Sequence, residues 1–429
     1  MVDFFRNTLF PWLTEHLPGW LAWIVPGDWG AYITVGLIQC ILLVSLVAGG
    51  TLGFIWMERK ISGRIQDRLG PTRVGGQFGW LQSLADGLKL ITKEDLMPDG
   101  ADGVLFKLAP YISFCASFTA YLALPFADGW AVQTLNVGVF FIIAIVGIEV
   151  FGVILGGYAS ASKWSLFGAM REAAQVVSYE VPLGMTIVVP VLIAGTMDLV
   201  AIGEMQRGFF TNWFIFHDPF TFITFWVYFT CAVASVNRAP FDLAEAESEL
   251  VAGFHTEYSG LRWSFFFMAE YGSMFAVCML AAILFFGGWN GPIPVCDILP
   301  FHYDAGATGF NFWGYLGNLM GMSNLIFKAV IGMSVMMWVR WTLPRLRIDQ
   351  VMKTCLKYCT PIAAAMFLGA TLWTYKFPTG LGILPSKVLG DVRESWRKEA
   401  GPAPRDLPVG AVQNDGESKV VTTNAGGGL

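Results

Sequence analysis

Four acidic residues lie close together in the segment that begins at Arg238, namely Asp242, Glu245, Glu247 and Glu249. Three of them are spaced i, i+3 and i+7, so a helix would place their carboxyl groups on one face. Pro240 and acids in a first turn are typical of a helix N-terminus, which accounts for one or two acids but not for four. Crowded like charges raise one another's pKa, so we predict groups here that exchange protons near neutral pH. Glu257 continues the acidic series.

Further acids occur in strongly apolar surroundings. Charged residues make up only 14% of the 429 residues, against roughly a quarter in soluble domains, and the mean hydropathy is +0.56. A membrane-spanning helix needs about 20 apolar residues. Eight segments qualify, the last being the shortest: residues 31–56, 104–126, 136–157, 174–198, 220–237, 264–287, 322–341 and 360–375. The sequence therefore predicts an all-α, polytopic integral membrane protein with about eight transmembrane helices.

Five ionisable residues fall within these predicted spans: Lys107, Glu149, Glu180, Glu270 and Lys328. Each costs about 2.5–3.5 kcal/mol at the centre of a span. Such groups face the interior of a helix bundle or a water-filled cavity, unless they reach the interface from a helix end. Lys107 lies near a helix end, whereas the glutamates indicate a functional path through the membrane.

The loop at 57–103 is the second unusual region. It opens with a basic cluster around Arg59 and Arg68, and apolar residues at 80, 81, 84, 88 and 91 then predict an amphipathic helix lying at the interface. Such a helix beside a cationic loop could frame an opening for a lipid-soluble substrate.

Lys and Arg are unevenly distributed among the loops. Those at 57–103, 158–173, 238–263 and 340–359 together hold 16, whereas the three loops on the other side hold only Arg207. The positive-inside rule therefore predicts that the four basic loops are cytoplasmic and that both termini lie outside. We expect residues 1–30 to form an interfacial segment, residues 31–376 the eight-helix membrane domain, and residues 377–429 a disordered tail.

Several cofactor sites are absent from the sequence. The histidines, at 16, 217, 255 and 302, lie outside the span centres, so no intramembrane pair can hold haem. Cys355 and Cys359 alone cannot supply four ligands to zinc or to an iron–sulfur cluster. There is no nucleotide-binding glycine motif. We expect no metal in this chain and any redox centre in another polypeptide.

Two long motifs resemble one known family. The run from Glu58 to Gly75, continued by Thr92-Lys93-Glu94, and the run from Arg238 to Gly260 are similar to signatures of the H subunit of proton-translocating NADH:quinone oxidoreductase, respiratory complex I. Ser178-Tyr-Glu180-Val and Met268-Ala-Glu270-Tyr match further family positions. The similarity covers about residues 30–375, and Glu149 has no firm counterpart in the family.

The resemblance implies a subunit at the junction of the membrane and hydrophilic arms of a bacterial inner-membrane complex of the respiratory chain. Quinone, expected to be ubiquinone, would be bound near Arg59, Lys60, Gln66, Arg68, Phe241 and Asp242. A path that couples its reduction to proton pumping would include Glu180, Asp242, Glu245, Glu247, Glu257 and Glu270. FMN and iron–sulfur clusters would belong to partner subunits, and the other expected contacts are membrane lipid and no nucleic acid.

Three alternatives stay open. The related membrane subunit of an energy-converting hydrogenase resembles the family in the same loops and would purify with a nickel–iron subunit. A proton-coupled transporter would need no redox partner, but no internal repeat of the kind found in many transporters is evident. A structural anchor would use the acids only for assembly.

Overall fold

Helices connected by short turns make up the computed structural model, which describes residues 27–127, 130–245, 247–293 and 312–376. No strand occurs within these ranges. The predictions for residues 1–26 and for the tail from 377 lie outside them. The α-helices are α1 (Gly27–Ile65), α2 (Gln82–Thr92), α3 (Gly103–Thr119), α4 (Gly138–Ala159), α5 (Lys163–Ala194), α6 (Leu199–Met205), α7 (Pro219–Ser235), α8 (Glu247–Leu250), α9 (Gly260–Phe285), α10 (Phe312–Thr342), α11 (Ile348–Met352) and α12 (Thr360–Lys376).

Seven helical stretches of the described chain are long and apolar enough to cross a membrane. The remaining predicted span, residues 220–237, corresponds to α7, a shorter apolar helix of 17 residues. The C-terminal span was expected to be the shortest. Instead, α11, a π-helical turn at Lys353–Cys359 and α12 form one stretch of 29 residues, Ile348–Lys376. The all-α membrane architecture is thus confirmed, and the order of span lengths is corrected.

Several helices extend beyond the apolar runs that predicted them. Helix α5 begins at Lys163 rather than at 174, and α1 continues to Ile65, so the predicted loops at 158–173 and 57–103 are both partly helical. The predicted loop at 340–359 is likewise reduced to a few residues. An apolar window stops at polar residues, but a helix continues through them where other parts of the protein provide their partners.

Helix α9 lies at the centre of the bundle. Its side chains are buried almost continuously from Tyr271 to Phe285, and it packs against α3, α10 and α1. Buried tyrosines are hydrogen-bonded to its backbone: Tyr121 Oη donates to the Gly272 carbonyl over 2.5 Å and Tyr228 Oη to that of Val277 over 3.0 Å. Small residues allow close approach elsewhere, as at Gly152, where a Cβ would lie 2.7 Å from the Ser113 nitrogen.

Helix α2 confirms the predicted amphipathic helix. Leu84, Leu88 and Ile91 are exposed along one side of it. The preceding turn is fixed to α1 because the Trp80 ring stacks on Trp56 with 4.2 Å between centroids. Its position at a membrane surface stays a prediction.

The acidic segment is folded differently from the prediction. Residues 238–245 form turns, and helix occurs only in α8, so the carboxyl groups of Asp242, Glu245 and Glu249 do not share a helical face. Each is held by its own partner instead: Asp242 by Arg345, Glu245 by His255 and Glu249 by Arg171. Specific ion pairs thus override the local helical pattern.

Gly253 allows this loop to close on itself. Its φ is +56°, and an added Cβ would overlap the Ala244 carbonyl oxygen. Only glycine combines this left-handed backbone with such a close approach.

We therefore expect Gly253→Ala to destabilise the fold, by about 1–3 kcal/mol for the backbone conformation alone. The matched control is Gly184→Ala in α5, where an added Cβ meets nothing within 4 Å. The measurement is the thermal midpoint of the detergent-solubilised protein, and equal midpoints for the two variants would contradict the prediction.

Candidate functional site

Arg238 lies at the centre of a buried ion-pair network. Its Nη1 donates to both carboxylate oxygens of Glu58 over 3.1 Å each. Its Nε lies 2.7 Å from Glu270 Oε1, an ion-pair contact without the angle of a hydrogen bond. Its guanidinium also lies over the Tyr271 ring, 4.5 Å from the centroid. Arg238 and Glu58 are only 2% and 6% exposed, so two acids share one cation away from water.

Two further groups complete the arrangement around Glu58. Arg340, from α10, forms an ion pair with Glu58 Oε1, and the Tyr271 hydroxyl donates to Oε2. The network therefore joins α1, the loop after α7, α9 and α10 through a single carboxylate.

Asp242 and Glu245 lie beside this network, and their pKa values are shifted in opposite directions. Burial and the nearby charge of Glu245 raise the pKa of Asp242 to about 6, although Arg345 pairs with its Oδ2 at 2.9 Å. Burial would also raise the pKa of Glu245, but a 2.7 Å contact with His255 Nε2 and the charges of neighbouring arginines lower it to about 2. Asp242 thus changes its charge near neutrality, whereas Glu245 stays ionised.

A small polar cavity lies behind the network. Four carboxyl groups line it, from Glu149, Glu172, Glu245 and Glu270, together with His255 and other residues. Its volume is about 30 Å³, enough for a water molecule.

Three of these acids lie at one depth. Glu149 is ten residues before the end of α4, Glu172 nine residues after the start of α5, and Glu270 ten residues after the start of α9. At 1.5 Å per residue each lies about 15 Å along its helix from that end.

Glu180 does not reach this cavity. It is exposed at the surface of the chain, two turns further along α5 than Glu172, and lines a different groove with Gly147 and Tyr179. The sequence predicted that an acid within a span faces the bundle interior or a water-filled cavity, and in this chain Glu180 lies in a groove at the surface.

The residues predicted to bind quinone are divided between two environments. Phe241 and Asp242 are buried in the loop next to Arg238. Gln66 and Arg68 are exposed and hydrogen-bonded to each other. The structure therefore does not gather the predicted set at one point.

Arg59 and Lys60 hold the loop after α1 in place. Arg59 pairs with Asp86 of α2, and Lys60 Nζ donates to the Pro71 carbonyl over 2.6 Å. Among the other predicted residues, Glu257 is half-buried, and the side chain of Glu247 lies outside the described ranges.

The two lysines have simpler roles. Lys107 is exposed near the start of α3, as predicted for a residue at a helix end. Lys328 Nζ donates to the carbonyls of Phe286, Gly288 and Asn290, just beyond the end of α9, over 2.5–2.8 Å. A cation is favourable there because the last carbonyls of a helix lack partners within the helix. In the described part of the chain, no group of three or more His, Cys, Asp or Glu is arranged to hold a metal.

Comparison with known proteins identifies the family. Residues 38–371 match the family model described as NADH dehydrogenase. Relatives from Chlorobium luteolum and Geobacillus kaustophilus, both named as the H subunit of NADH-quinone oxidoreductase, are 44% and 43% identical to the chain. The alignments cover 76% and 82% of this chain and 85% and 94% of the relatives. A relative of the same name from Anaeromyxobacter dehalogenans is 40% identical over 82% of this chain and 84% of its own length.

The chain belongs to the family of NADH-quinone oxidoreductase H subunits. This confirms the resemblance found in the two long motifs. An H subunit is one component of a multi-subunit enzyme, which agrees with the absence of a recognisable redox-cofactor motif in the sequence.

Sequence reasoning missed several residues of the site in this H subunit: Glu58, Glu172, Asn237, Tyr271 and Arg340. Glu172 was assigned to a loop because it lies outside an apolar run. The signal that could have found it was the spacing of Ser165, Gly168, Ala169, Glu172 and Gln175, which are all buried on one face of α5. Glu58 lies directly beside the predicted Arg59, but only the fold shows that the two side chains have different surroundings.

We expect Arg238→Gln to cause loss of the folded chain from membranes. Removing one partner of a buried ion pair costs about 3–5 kcal/mol because the remaining charge stays buried. Arg238→Gln combined with Glu58→Gln should recover part of the loss. The control is Arg64→Gln, an exposed arginine in the last turn of α1. The readout is chain abundance in isolated membranes, and additive effects in the double variant would refute the network.

Proposed function

We propose that this chain forms the quinone-binding cavity of NADH-quinone oxidoreductase and couples quinone reduction to proton translocation through its carboxyl groups. The observation that carries the proposal is the buried connection from Glu58 through Arg238 to Glu270, which ends at the polar cavity. It supports a direct electrostatic link between the loops and the middle of the membrane-spanning bundle.

Quinone would bind on the loop side, near the end of α1 and residues 238–245. Reduction adds two electrons and two protons to a quinone, so the charge at its site changes during the reaction. Phe241 offers an apolar contact for the ring, and Asp242 a carboxyl group whose pKa of about 6 allows proton exchange. Ubiquinone is the proposed form of the substrate. Its electrons would come from NADH through FMN and iron–sulfur clusters in partner subunits.

A change of charge at the quinone would change which of the nearby carboxyl groups carry a proton, and this would transmit its effect to the cavity. Arg238 and Arg340 lie close to Glu58, and the charge of Arg238 also acts on Asp242, Glu245 and Glu270. When one carboxyl group gains or loses a proton, the balance around these arginines changes for the others, so the groups titrate as a set. In this scheme Asp242 exchanges protons, Glu245 with His255 provides a fixed charge, and Glu270 connects the network to the cavity.

The exposed position of Glu180 is a reason to propose a partner subunit within the membrane. An ionised group at this depth is poorly tolerated against lipid, yet Glu180 is exposed on this chain. We propose that another membrane-arm subunit covers it and receives the proton path there, while hydrophilic-arm subunits cover the basic loops on the cytoplasmic side of the bacterial inner membrane. Lipid would contact the remaining exposed apolar surface.

Affinity purification of the tagged chain in mild detergent tests this function. We expect a complex that reduces quinone with NADH and is blocked by a quinone-site inhibitor. Co-purification with a nickel–iron subunit and no NADH oxidation would support the hydrogenase alternative. A chain isolated without redox partners would reject the proposal and favour a transporter or a structural anchor.

We expect Glu180→Gln to lower quinone reduction and proton pumping together, by about tenfold or more, because a proton-relay group contributes at least that much. The variant complex is reconstituted into vesicles, and NADH oxidation and vesicle acidification are followed in parallel. The control is Asp349→Asn, an exposed acid in the first turn of α11. Wild-type rates and coupling in Glu180→Gln would exclude Glu180 from the path.

A further inference from the structure

In the described part of the chain, Glu172 is a buried acid and Glu149 a partly buried one, and neither forms an ion pair with a cation. Glu172 Oε1 accepts a hydrogen bond from Asn237 Nδ2 over 2.8 Å, and Glu149 Oε2 accepts one from the Ser273 hydroxyl. Both donors are neutral. Within the described residues, the other acids of the site each pair with a cation or a histidine: Glu58 and Glu270 with Arg238, Asp242 with Arg345, and Glu245 with His255. Glu149 and Glu172 are therefore not explained by the ion-pair network.

The surroundings of Glu172 leave a position for another molecule. The side chain is completely buried, yet its Oε2 has no hydrogen-bond partner among the described residues. His255 Nδ1 is a second buried atom without a partner, and it belongs to a residue that lines the same cavity. Unpaired buried polar atoms are unfavourable. A bound water molecule needs two to four polar partners, and the 30 Å³ cavity offers both the space and the partners.

The charges of the two carboxyl groups favour a proton bound between them. The carboxyl groups of Glu149 and Glu172 are near enough to interact, and both line the cavity. Two negative charges without a counter-ion in this poorly solvated region would lose solvation and would also repel each other. One proton held between them removes one charge and provides a donor for the other carboxylate.

We propose that Glu149 and Glu172 share one proton through a water molecule bound in this cavity, forming a proton-holding branch beside the connection from Arg238 to Glu270. Its binding groups come from α4 and α5, and Ser273 of α9 and Asn237 fix the two carboxyl groups. Its part in pumping rests on the proposed function, whereas the shared proton does not.

Transfer through the branch needs no electrons. The protonated carboxyl group donates its proton to the water oxygen while the water donates one of its own protons to the opposite carboxylate. One O–H bond breaks and one forms at each step, and water is regenerated. Glu270, which also lines the cavity, is the group that would exchange protons with the branch.

Infrared difference spectroscopy after a pH jump, applied to the purified intact complex, tests the proposal. We expect one C=O stretching band of a buried, protonated carboxyl group in the wild type. Glu149→Gln and Glu172→Gln should each shift this band, because the remaining group loses its partner, and the double variant should lose it. A bound-water band that shifts in heavy-oxygen water should disappear with it.

Ser273→Ala provides a milder variant in case the glutamine variants do not assemble. It removes the hydroxyl donor to Glu149 and should shift the band without loss. Asp349→Asn, an exposed acid that does not line the cavity, should leave the spectrum unchanged. The proposal is overturned if each single variant removes a separate band, as independent groups would, or if the double variant keeps the band.

The experiments distinguish failure of the shared-proton proposal from failure of the proposed function. If the wild-type complex lacks NADH-driven quinone reduction but shows the shared band, the proposed function fails and the branch stands. If quinone reduction is normal and no such band exists, only the branch fails. If both hold, we expect the double variant to lose protons pumped per NADH while it continues to reduce quinone.

Discussion

The buried guanidinium of Arg238 is the interaction on which the rest of the structure depends. It holds Glu58 of α1 and Glu270 of α9 in a region with little water, and Arg340 of α10 approaches the same carboxylate as Arg238, that of Glu58. A buried ion pair is weak evidence for stability but strictly constrains geometry, because any displacement leaves a charge without its partner. Three membrane-spanning helices and the acidic loop are thereby held in one arrangement.

This constraint also explains why the acidic segment is not a helix. Its side chains must reach Arg345, His255 and Arg171 in different directions, and a helix would direct them to one face. The turns, with the close approach at Gly253, allow each carboxyl group to meet its own partner. The same folding gives Asp242 and Glu245 opposite proton affinities although only three positions separate them.

The carboxyl groups fall into classes by the partner that each has. Glu58 and Glu270 share the guanidinium of Arg238, Asp242 and Glu245 each have a partner of their own, Glu149 and Glu172 accept hydrogen bonds from neutral donors, and Glu180 lies at the surface of the chain. In the proposed function, Glu58 and Glu245 would set the local potential, whereas Asp242 and the acids with neutral donors would respond to it. It also accounts for more intramembrane acids than a passive scaffold would need.

The sequence by itself determined the membrane architecture, the family and the importance of the acids. Long apolar runs have only one stable environment, and ionisable residues within them are too unfavourable to be incidental. The tertiary structure decided which acids meet. Glu172 was assigned to a loop, Glu58 was overlooked beside Arg59, and the surface position of Glu180 was not foreseen, because burial and ion pairing depend on contacts between residues up to 282 positions apart. A one-dimensional pattern does not contain such contacts.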